Sequence, residues 1–121
     1  MTRKPAPRRK ATRKSTASRG SGSRVVWTDR SLDDLEAIGQ HIARDDPAAA
    51  ARWVAELMRV AEAAATMPEG ARRVPELGRD DIRETFKRTY RIVYRIRPGR
   101  IEVLTVFEGH RLFPPLQADD D

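Results

Sequence analysis

The chain has 121 residues, which is enough for one small domain, and it contains no cysteine. The absence of cysteine excludes a disulfide framework and a thiolate metal site, and we predict neither a metal ion nor a cofactor. No apolar run approaches the roughly 20 residues that span a bilayer, and no apolar segment follows the basic first residues, so we expect a cytoplasmic protein without membrane contacts.

The net charge of +6 is concentrated at the amino terminus. Residues 1–24 contain nine Lys or Arg and no acidic residue, so the rest of the chain has 15 basic and 18 acidic side chains. This tail has too few apolar side chains to offset the entropy cost of ordering, and we predict that it is disordered. Its cationic side chains are suited to nucleic-acid phosphates, although a solvated extension without a function is the alternative. The candidate phosphate contacts are Arg8, Arg9, Lys10, Arg13 and Lys14.

The next segment predicts one strand and two helices. Val25-Val26-Trp27 is typical of a strand, and Ser31 with Asp34 resembles a capping box for a helix that ends near Arg44. Asp46 and Pro47 indicate the cap and first turn of a second helix over residues 47–66. The first helix has apolar side chains at helical spacing, which predicts one buried face. These residues are Leu32, Leu35, Ile38 and Ile42.

The last third of the chain predicts three antiparallel strands, over residues 81–87, 90–97 and 101–107. The turn signal Pro98-Gly99 separates the second strand from the third. With residues 68–79 as a loop, the element order is β-α-α-β-β-β. We therefore predict a two-layer α+β domain over residues 25–116, in which a helical hairpin packs on a small, mainly antiparallel sheet. Residues 117–121 form an acidic tail.

Arginines alternate with apolar residues in these strands. Arg91, Arg95 and Arg97 share one face of their strand, opposite a face fit for a core. This pattern predicts either an anion-binding surface or the solvated face of an antiparallel sheet. After the last strand, His110 is either a catalytic group or a turn residue. Phe113 and its apolar neighbours are either exposed for a partner or packed under the sheet.

These elements together resemble the RelE/ParE family of bacterial toxins, over residues 24–116. The resemblance rests on the opening Val-Val-Trp-Thr with Leu-x-x-Leu-x-x-Ile, on Ile82-Arg83-Glu84, on the alternating strand that begins at Tyr90, and on Phe-Glu-Gly-His-Arg ending at Arg111. It implies the toxin of a type II toxin-antitoxin pair, which is held inactive by a cognate antitoxin that lays its carboxy-terminal segment across the toxin. We expect the antitoxin to bind in the groove between the helical hairpin and the sheet.

The RelE-like branch of the family implies ribosome-dependent cleavage of messenger RNA. That chemistry needs cations for the phosphorane charge and groups that take and give protons. The matching candidates in this chain are Arg83, Arg91, Arg95, His110 and Arg111. The carboxy-terminal tyrosine that several such nucleases use is absent after Arg111, which disfavours this branch.

The ParE-like branch implies inhibition of DNA gyrase without nuclease activity, and the Ala-rich helical hairpin favours it. The arginines would then contact the antitoxin or the target, since a guanidinium holds a carboxylate or a phosphate equally well. The predicted contact residues are Arg83, Arg91, Arg95, Arg111 and Phe113. Gyrase, or the ribosome with its messenger RNA, is the expected target, and we expect no small-molecule substrate. A degenerate toxin domain led by a nucleic-acid-binding tail is a third possibility.

Overall fold

The computed structural model describes residues 23–116. The tail residues proposed to bind nucleic acid, from Arg8 to Lys14, and the acidic residues 117–121 lie outside the described residues. The elements in chain order are β1 (Arg24–Trp27), α1 (Asp29–Ala43), α2 (Pro47–Ala65), a 3-10 turn (Pro68–Gly70), β2 (Arg72–Arg73), β3 (Ile82–Lys87), β4 (Tyr90–Arg97) and β5 (Arg100–Glu108). The predicted two-layer α+β architecture is confirmed.

The strands form one five-stranded sheet in the order β1-β5-β4-β3-β2. β1 runs parallel to β5, whereas the other neighbouring strands are antiparallel. The short strand β2 lies in the segment that we expected to be a loop, where Arg72 and Arg73 pair with Glu84 and Arg83 of β3. Among the described residues, no helix is long and apolar enough to cross a membrane.

The N-cap of α1 is Thr28, and Ser31 lies in the first turn of the helix. The Thr28 hydroxyl oxygen accepts a hydrogen bond from the Ser31 N–H at 3.1 Å, and the Ser31 hydroxyl donates back to the Thr28 carbonyl at 2.8 Å. The expected capping box is therefore wrong. Asp34 instead accepts from the Thr105 hydroxyl at 2.6 Å and from the Val106 N–H at 3.0 Å, which ties α1 to β5.

The main core lies between the helices and the sheet. Leu57 and Ala61 of α2 pack against strand residues such as Ile92 and Tyr94, and all four are fully buried. The Tyr94 hydroxyl donates to the Pro68 carbonyl at 2.6 Å, so this phenol has a partner inside the core. As predicted, the apolar face of β4 faces the helical hairpin.

A second apolar cluster lies on the face of the sheet away from the helices. Its buried members are Val74, Ile82, Val93, Leu104 and Phe107, and Phe113 and Leu116 pack on it. A β-bulge opposite Val93 and Tyr94 shifts the register of β5 and changes the simple alternation expected there. Ile82 and Phe86 both lie on this side of β3, where Ile82 is buried and Phe86 is 43% exposed. This face is therefore partly buried and is not the solvated surface that the arginine pattern suggested.

Candidate partner-binding surface

Arg91 is the centre of an ion-pair network on the face away from the helices. Its guanidinium donates to both oxygens of Glu76, at 3.0 and 2.9 Å, and its Nε donates to Glu84 at 2.8 Å. Glu84 is fully buried and also accepts from Arg72 at 2.6 Å. The hydrogen bond with Glu76 raises the pKa of Arg91, burial opposes that rise, and Glu84 adds to it. Two carboxylates therefore already balance this cation.

Two aromatic rings cover the Arg91 guanidinium. Its central carbon lies 5.2 Å from the centroid of Phe107 and 5.3 Å from that of Phe113, within the range of cation–π contacts. The two rings also meet edge to face, with centroids 5.6 Å apart. Carboxylates and rings therefore surround this side chain, which leaves little of the guanidinium open to solution anions, and the contact role of Arg91 stays a prediction.

Arg95 belongs to a separate cluster at the other end of β4. It is 8% exposed and pairs with Glu102 at 3.1 Å, while Arg100 pairs with the other oxygen of Glu102 at 2.9 Å. Arg97 lies 3.6 Å from the same carboxylate. Burial favours the neutral form of Glu102, but hydrogen bonds from Arg100 and Arg95 outweigh it and hold the pKa of this carboxyl below its ordinary value.

Arg83 holds the loop that precedes β3. Its guanidinium donates to the backbone carbonyls of Asp80 at 2.9 Å, and of Glu69 and Ala71 at 2.8 Å. Arg83 is directly opposite Tyr94 in the register, so it lies on the helix side of the sheet, whereas Arg91 lies on the other side. These contacts support a structural role for Arg83.

His110 and Arg111 follow β5 in an exposed turn. The His110 side chain is 80% exposed, and its Nδ1 lies 2.8 Å from a Glu108 carboxylate oxygen. Hydrogen bonds from His110 lower the pKa of Glu108. The turn lies beside Arg91, because a Cβ added at Gly109 would stand 3.4 Å from the Arg91 side chain.

The structure therefore distributes the five nuclease candidates over three places. Arg91 lies near the turn that carries His110 and Arg111. Arg95 is four residues further along β4, or about 13 Å at the rise of a strand, and it belongs to the Glu102 cluster. Arg83 is on the opposite face of the sheet.

A groove of about 480 Å³ lies where α1 meets the end of β5, and Arg111 and the exposed Leu112 stand on its rim. The sequence predicts an antitoxin groove between the helical hairpin and the sheet, but it does not identify these lining residues, although Arg30, Asp34 and His41 follow one side of α1 at helical spacing. Leu112 is 93% exposed. The remaining lining residues are Ala37, Ile38, Tyr90, Thr105, Val106, Phe107, Glu108 and Pro114.

A family model described as "ParE toxin of type II toxin-antitoxin system, parDE" matches residues 25–113. The chain belongs to the ParE toxin family. A relative of this ParE-family chain, named "Putative toxin Y4kP" and found in Sinorhizobium fredii, is 38% identical over 99 residues, which cover 78% of this chain and 96% of the relative. The predicted membership of the RelE/ParE toxins, closer to ParE than to RelE, is confirmed.

A solved structure described as "Chromosomal ParDE TA system from P. aeruginosa" shares the fold. It superposes with a TM-score of 0.58 at 23% identity, and the match covers 69% of the ParE-family chain and 92% of the other chain. The order of elements in the ParE-family chain is the predicted β-α-α-β-β-β, to which the short β2 adds an edge strand.

Proposed function

We propose that this ParE-family toxin acts in the cytoplasm by inhibiting DNA gyrase, without nuclease activity, and that a cognate antitoxin neutralises it. The observation that carries the proposal is the environment of Arg91. Glu76 and Glu84 balance its charge, and Phe107 and Phe113 cover it. A ribonuclease would need this cation to hold a phosphate, and the phosphate would have to displace one ring and the two hydrogen bonds that Arg91 donates to Glu76.

The placement of the other candidates supports the same conclusion. In-line cleavage needs cations and a proton-transfer group around one phosphate, within hydrogen-bonding reach of its oxygens. Arg95 is engaged with Glu102 about 13 Å along the strand from Arg91. Arg83 donates to backbone carbonyls on the opposite face of the sheet. Neither is placed to share a phosphate with Arg91.

We propose the groove beside α1 as the antitoxin contact. The solved structure that shares this fold is described as a ParDE toxin-antitoxin system, and antitoxin recognition needs an accessible surface. At the groove rim, Leu112 offers apolar area and Arg111 offers a guanidinium that can donate two hydrogen bonds to a carboxylate. A partner segment that carries both an apolar and an acidic side chain fits this pair. Among the contact residues predicted from sequence, Arg111 has this access, whereas Arg91 and Arg95 are buried.

The test is expression of the full chain in a susceptible bacterium, with and without the product of the neighbouring gene. We expect growth arrest, an induced DNA-damage response and intact messenger RNA, together with inhibition of purified gyrase in a supercoiling assay. Arg111→Ala should weaken relief by the antitoxin, whereas Arg79→Ala, an exposed arginine paired with Asp81, should not. Active gyrase together with messenger RNA cleaved on ribosomes would contradict the proposal.

Ribosome-dependent cleavage of messenger RNA is the second candidate, and the pair of His110 with Glu108 is the observation that favours it. An exposed imidazole hydrogen-bonded to a carboxylate is a group that can take and give protons. His110→Gln separates the two candidates. If the toxin inhibits gyrase, this variant should keep the toxicity of the parent, measured as colony counts after induction. A loss of toxicity by orders of magnitude, with the variant still folded, would support the nuclease.

A further inference from the structure

A cationic cleft of about 280 Å³ lies where α2 passes the turn between β3 and β4. It is defined by its lining residues, which are Arg52, Trp53, Glu56, Lys87 and Arg88. The Trp53 ring is half-buried and meets the Tyr90 ring at an angle of 58°, with centroids 5.8 Å apart. Tyr90 also lines the groove beside α1, so the cationic cleft and the groove are neighbours.

The cationic cleft has more cations than carboxylates. Glu56 is the one carboxylate among its lining residues, and it accepts from Arg59 at 2.9 Å and pairs with Lys87 at 3.3 Å. Hydrogen bonds from Arg59 and Lys87 hold the pKa of Glu56 below its ordinary value, so this carboxylate is ionised and already shared. Arg52 and Arg88 are exposed, and no carboxylate within residues 23–116 lies within ion-pair distance of either. Both guanidiniums are therefore open to an incoming anion.

Arg88 has a backbone conformation that favours glycine. The register pairs Lys87 with Tyr90, so Arg88 and Thr89 form a two-residue hairpin turn, and the φ of Arg88 is 55°. Among the described residues, no other residue except glycine has a positive φ. Turns of this length need positive φ, which Gly and Asn adopt with less strain than arginine. An arginine at this position costs stability, which indicates that its side chain has a role.

The surrounding contacts fix the turn and hold the Arg88 side chain at the cleft. The Thr89 carbonyl accepts from the Gly109 N–H at 2.6 Å, which ties the turn to the end of β5. The central carbon of the Arg88 guanidinium lies 6.0 Å from the centroid of the Trp53 ring, at the outer range of cation–π contacts. A guanidinium that is already positioned loses less conformational freedom when it binds a ligand.

We propose that the cationic cleft binds an acidic peptide segment of a protein partner. Carboxylates of the segment accept hydrogen bonds from Arg52 and Arg88, and its methylene groups pack on the exposed part of Trp53. A nucleic acid fits less well, because base stacking needs an open aromatic face, whereas Arg88 and Tyr90 already contact the Trp53 ring. This contact is separate from the groove beside α1 and does not depend on inhibition of gyrase.

The test is an NMR titration of the full chain with a poly-aspartate peptide. The chain has two tryptophans, so one indole N–H signal reports on the cleft at Trp53 and the other on the core at Trp27, and Trp53→Phe assigns them. We expect the peptide to shift the Trp53 indole and the amides of Lys87 and Arg88, and to leave the Trp27 indole unchanged. The response should weaken from about 0.1 M to about 1 M salt, where the Debye length falls from ~10 Å to ~3 Å.

Arg88→Gly separates a binding role from a structural one. It removes the guanidinium and relieves the positive φ, so the Trp53 shift should need a several-fold higher peptide concentration while the thermal unfolding midpoint equals or exceeds that of the parent. Arg52→Gln should also weaken binding several-fold, and Arg88→Lys, which keeps the charge, should weaken it less than Arg88→Gly. The matched control Arg73→Gln changes the net charge equally at an exposed residue of β2 and should leave the titration unchanged.

A Trp53 indole that does not move at high peptide concentration would overturn the proposal. So would an Arg88→Gly variant that binds as the parent does, or one whose unfolding midpoint falls by several degrees, because Arg88 would then serve the stability of the fold. A single-stranded oligonucleotide of equal charge that shifts the Trp53 indole at lower concentration than the peptide would make the cleft a nucleic-acid site instead. The titration contains neither gyrase nor antitoxin, so its outcome is distinct from that of the toxicity experiments.

Discussion

Glu84 is a buried carboxylate whose loss should destabilise this toxin. It is 1% exposed, and it pairs with Arg91 and Arg72. Glu84→Gln removes the charge and leaves Arg91 with Glu76, so we expect a loss of about 3 kcal/mol in the free energy of unfolding, the low end for breaking a buried pair. Urea unfolding followed by circular dichroism measures it. Glu56→Gln, which alters the surface pairs with Arg59 and Lys87, is the control and should leave the unfolding midpoint almost unchanged. Equal midpoints for the two variants would contradict this account.

Ionisation of the buried Tyr94 should make the free energy of unfolding depend on pH in the alkaline range. Burial raises its pKa from 10.0 to about 12, since the phenolate would lose hydration in the core. The folded-state pKa lies above the unfolded one, so the contribution is complete below about pH 10 and is lost as the pH rises through 12. We expect the free energy of unfolding to fall across this window, and to fall less in Tyr94→Phe. Denaturant titrations at stepped pH check it, and a slope unchanged in Tyr94→Phe would be inconsistent with a buried phenol.

The sequence predicts which residues of β4 share a face of the sheet. It does not predict which side chains they contact on that face. Alternation alone places Tyr94 and Arg91 on opposite sides. It cannot show that Arg91 meets Glu76 and Glu84, because these carboxylates are 15 and 7 residues away in the chain and are brought close by the fold. An arginine on a strand therefore looks the same in sequence whether it faces water or a buried carboxylate.

At the level of elements, the attachment of α1 to β5 could not be predicted for the same reason. Asp34 at helical spacing from Ser31 resembled a local cap, yet its partners Thr105 and Val106 are more than 70 residues away. The helices themselves were predictable, because Asp46 and the following proline act within one turn of α2. β2 was not, since two arginines within a polar loop have no periodicity to detect.

The turn after β5 depends on Gly109 for packing. A Cβ at this position would lie 2.7 Å from the Thr89 carbonyl oxygen, which also accepts from the Gly109 N–H. Gly109→Ala must therefore shift the turn and residues 110–116 that follow it. We expect a loss of about 1–3 kcal/mol in the free energy of unfolding, typical of overpacking, and altered chemical shifts for the Phe113 ring.

Gly70→Ala is the matched control for Gly109→Ala. Its added Cβ would meet only the Met67 side chain, at 3.5 Å, which is ordinary contact with an exposed and flexible group. Its unfolding free energy should stay close to that of the parent. A Gly109→Ala variant as stable as Gly70→Ala, with unchanged Phe113 shifts, would show that the turn tolerates a side chain. The glycine of Gly-His-Arg would then have no packing role.

For the whole molecule, the distribution of charge separates the domain from its amino-terminal tail. Residues 25–116 contain 15 basic and 15 acidic side chains, whereas residues 1–22 contain eight basic side chains and no acid. The ion pairs of the domain use its arginines internally, as Arg91 and Arg95 illustrate. Non-specific binding to nucleic acid should therefore depend on the tail, and toxicity on the domain.

Deletion of residues 1–22 tests this separation. If all eight cations contact phosphates, the logarithm of the affinity for duplex DNA should fall with the logarithm of salt concentration at a slope of about −7, and deletion should abolish most of that dependence. Replacement of the eight Lys and Arg by Gln, at unchanged length, should act in the same way as deletion. Fluorescence anisotropy at several salt concentrations measures the slope, and growth arrest with gyrase inhibition measures the toxin. Growth arrest lost together with DNA binding would instead make the tail part of the toxic mechanism, since its deletion leaves the ion pairs of Arg91 with Glu76 and Glu84 in place.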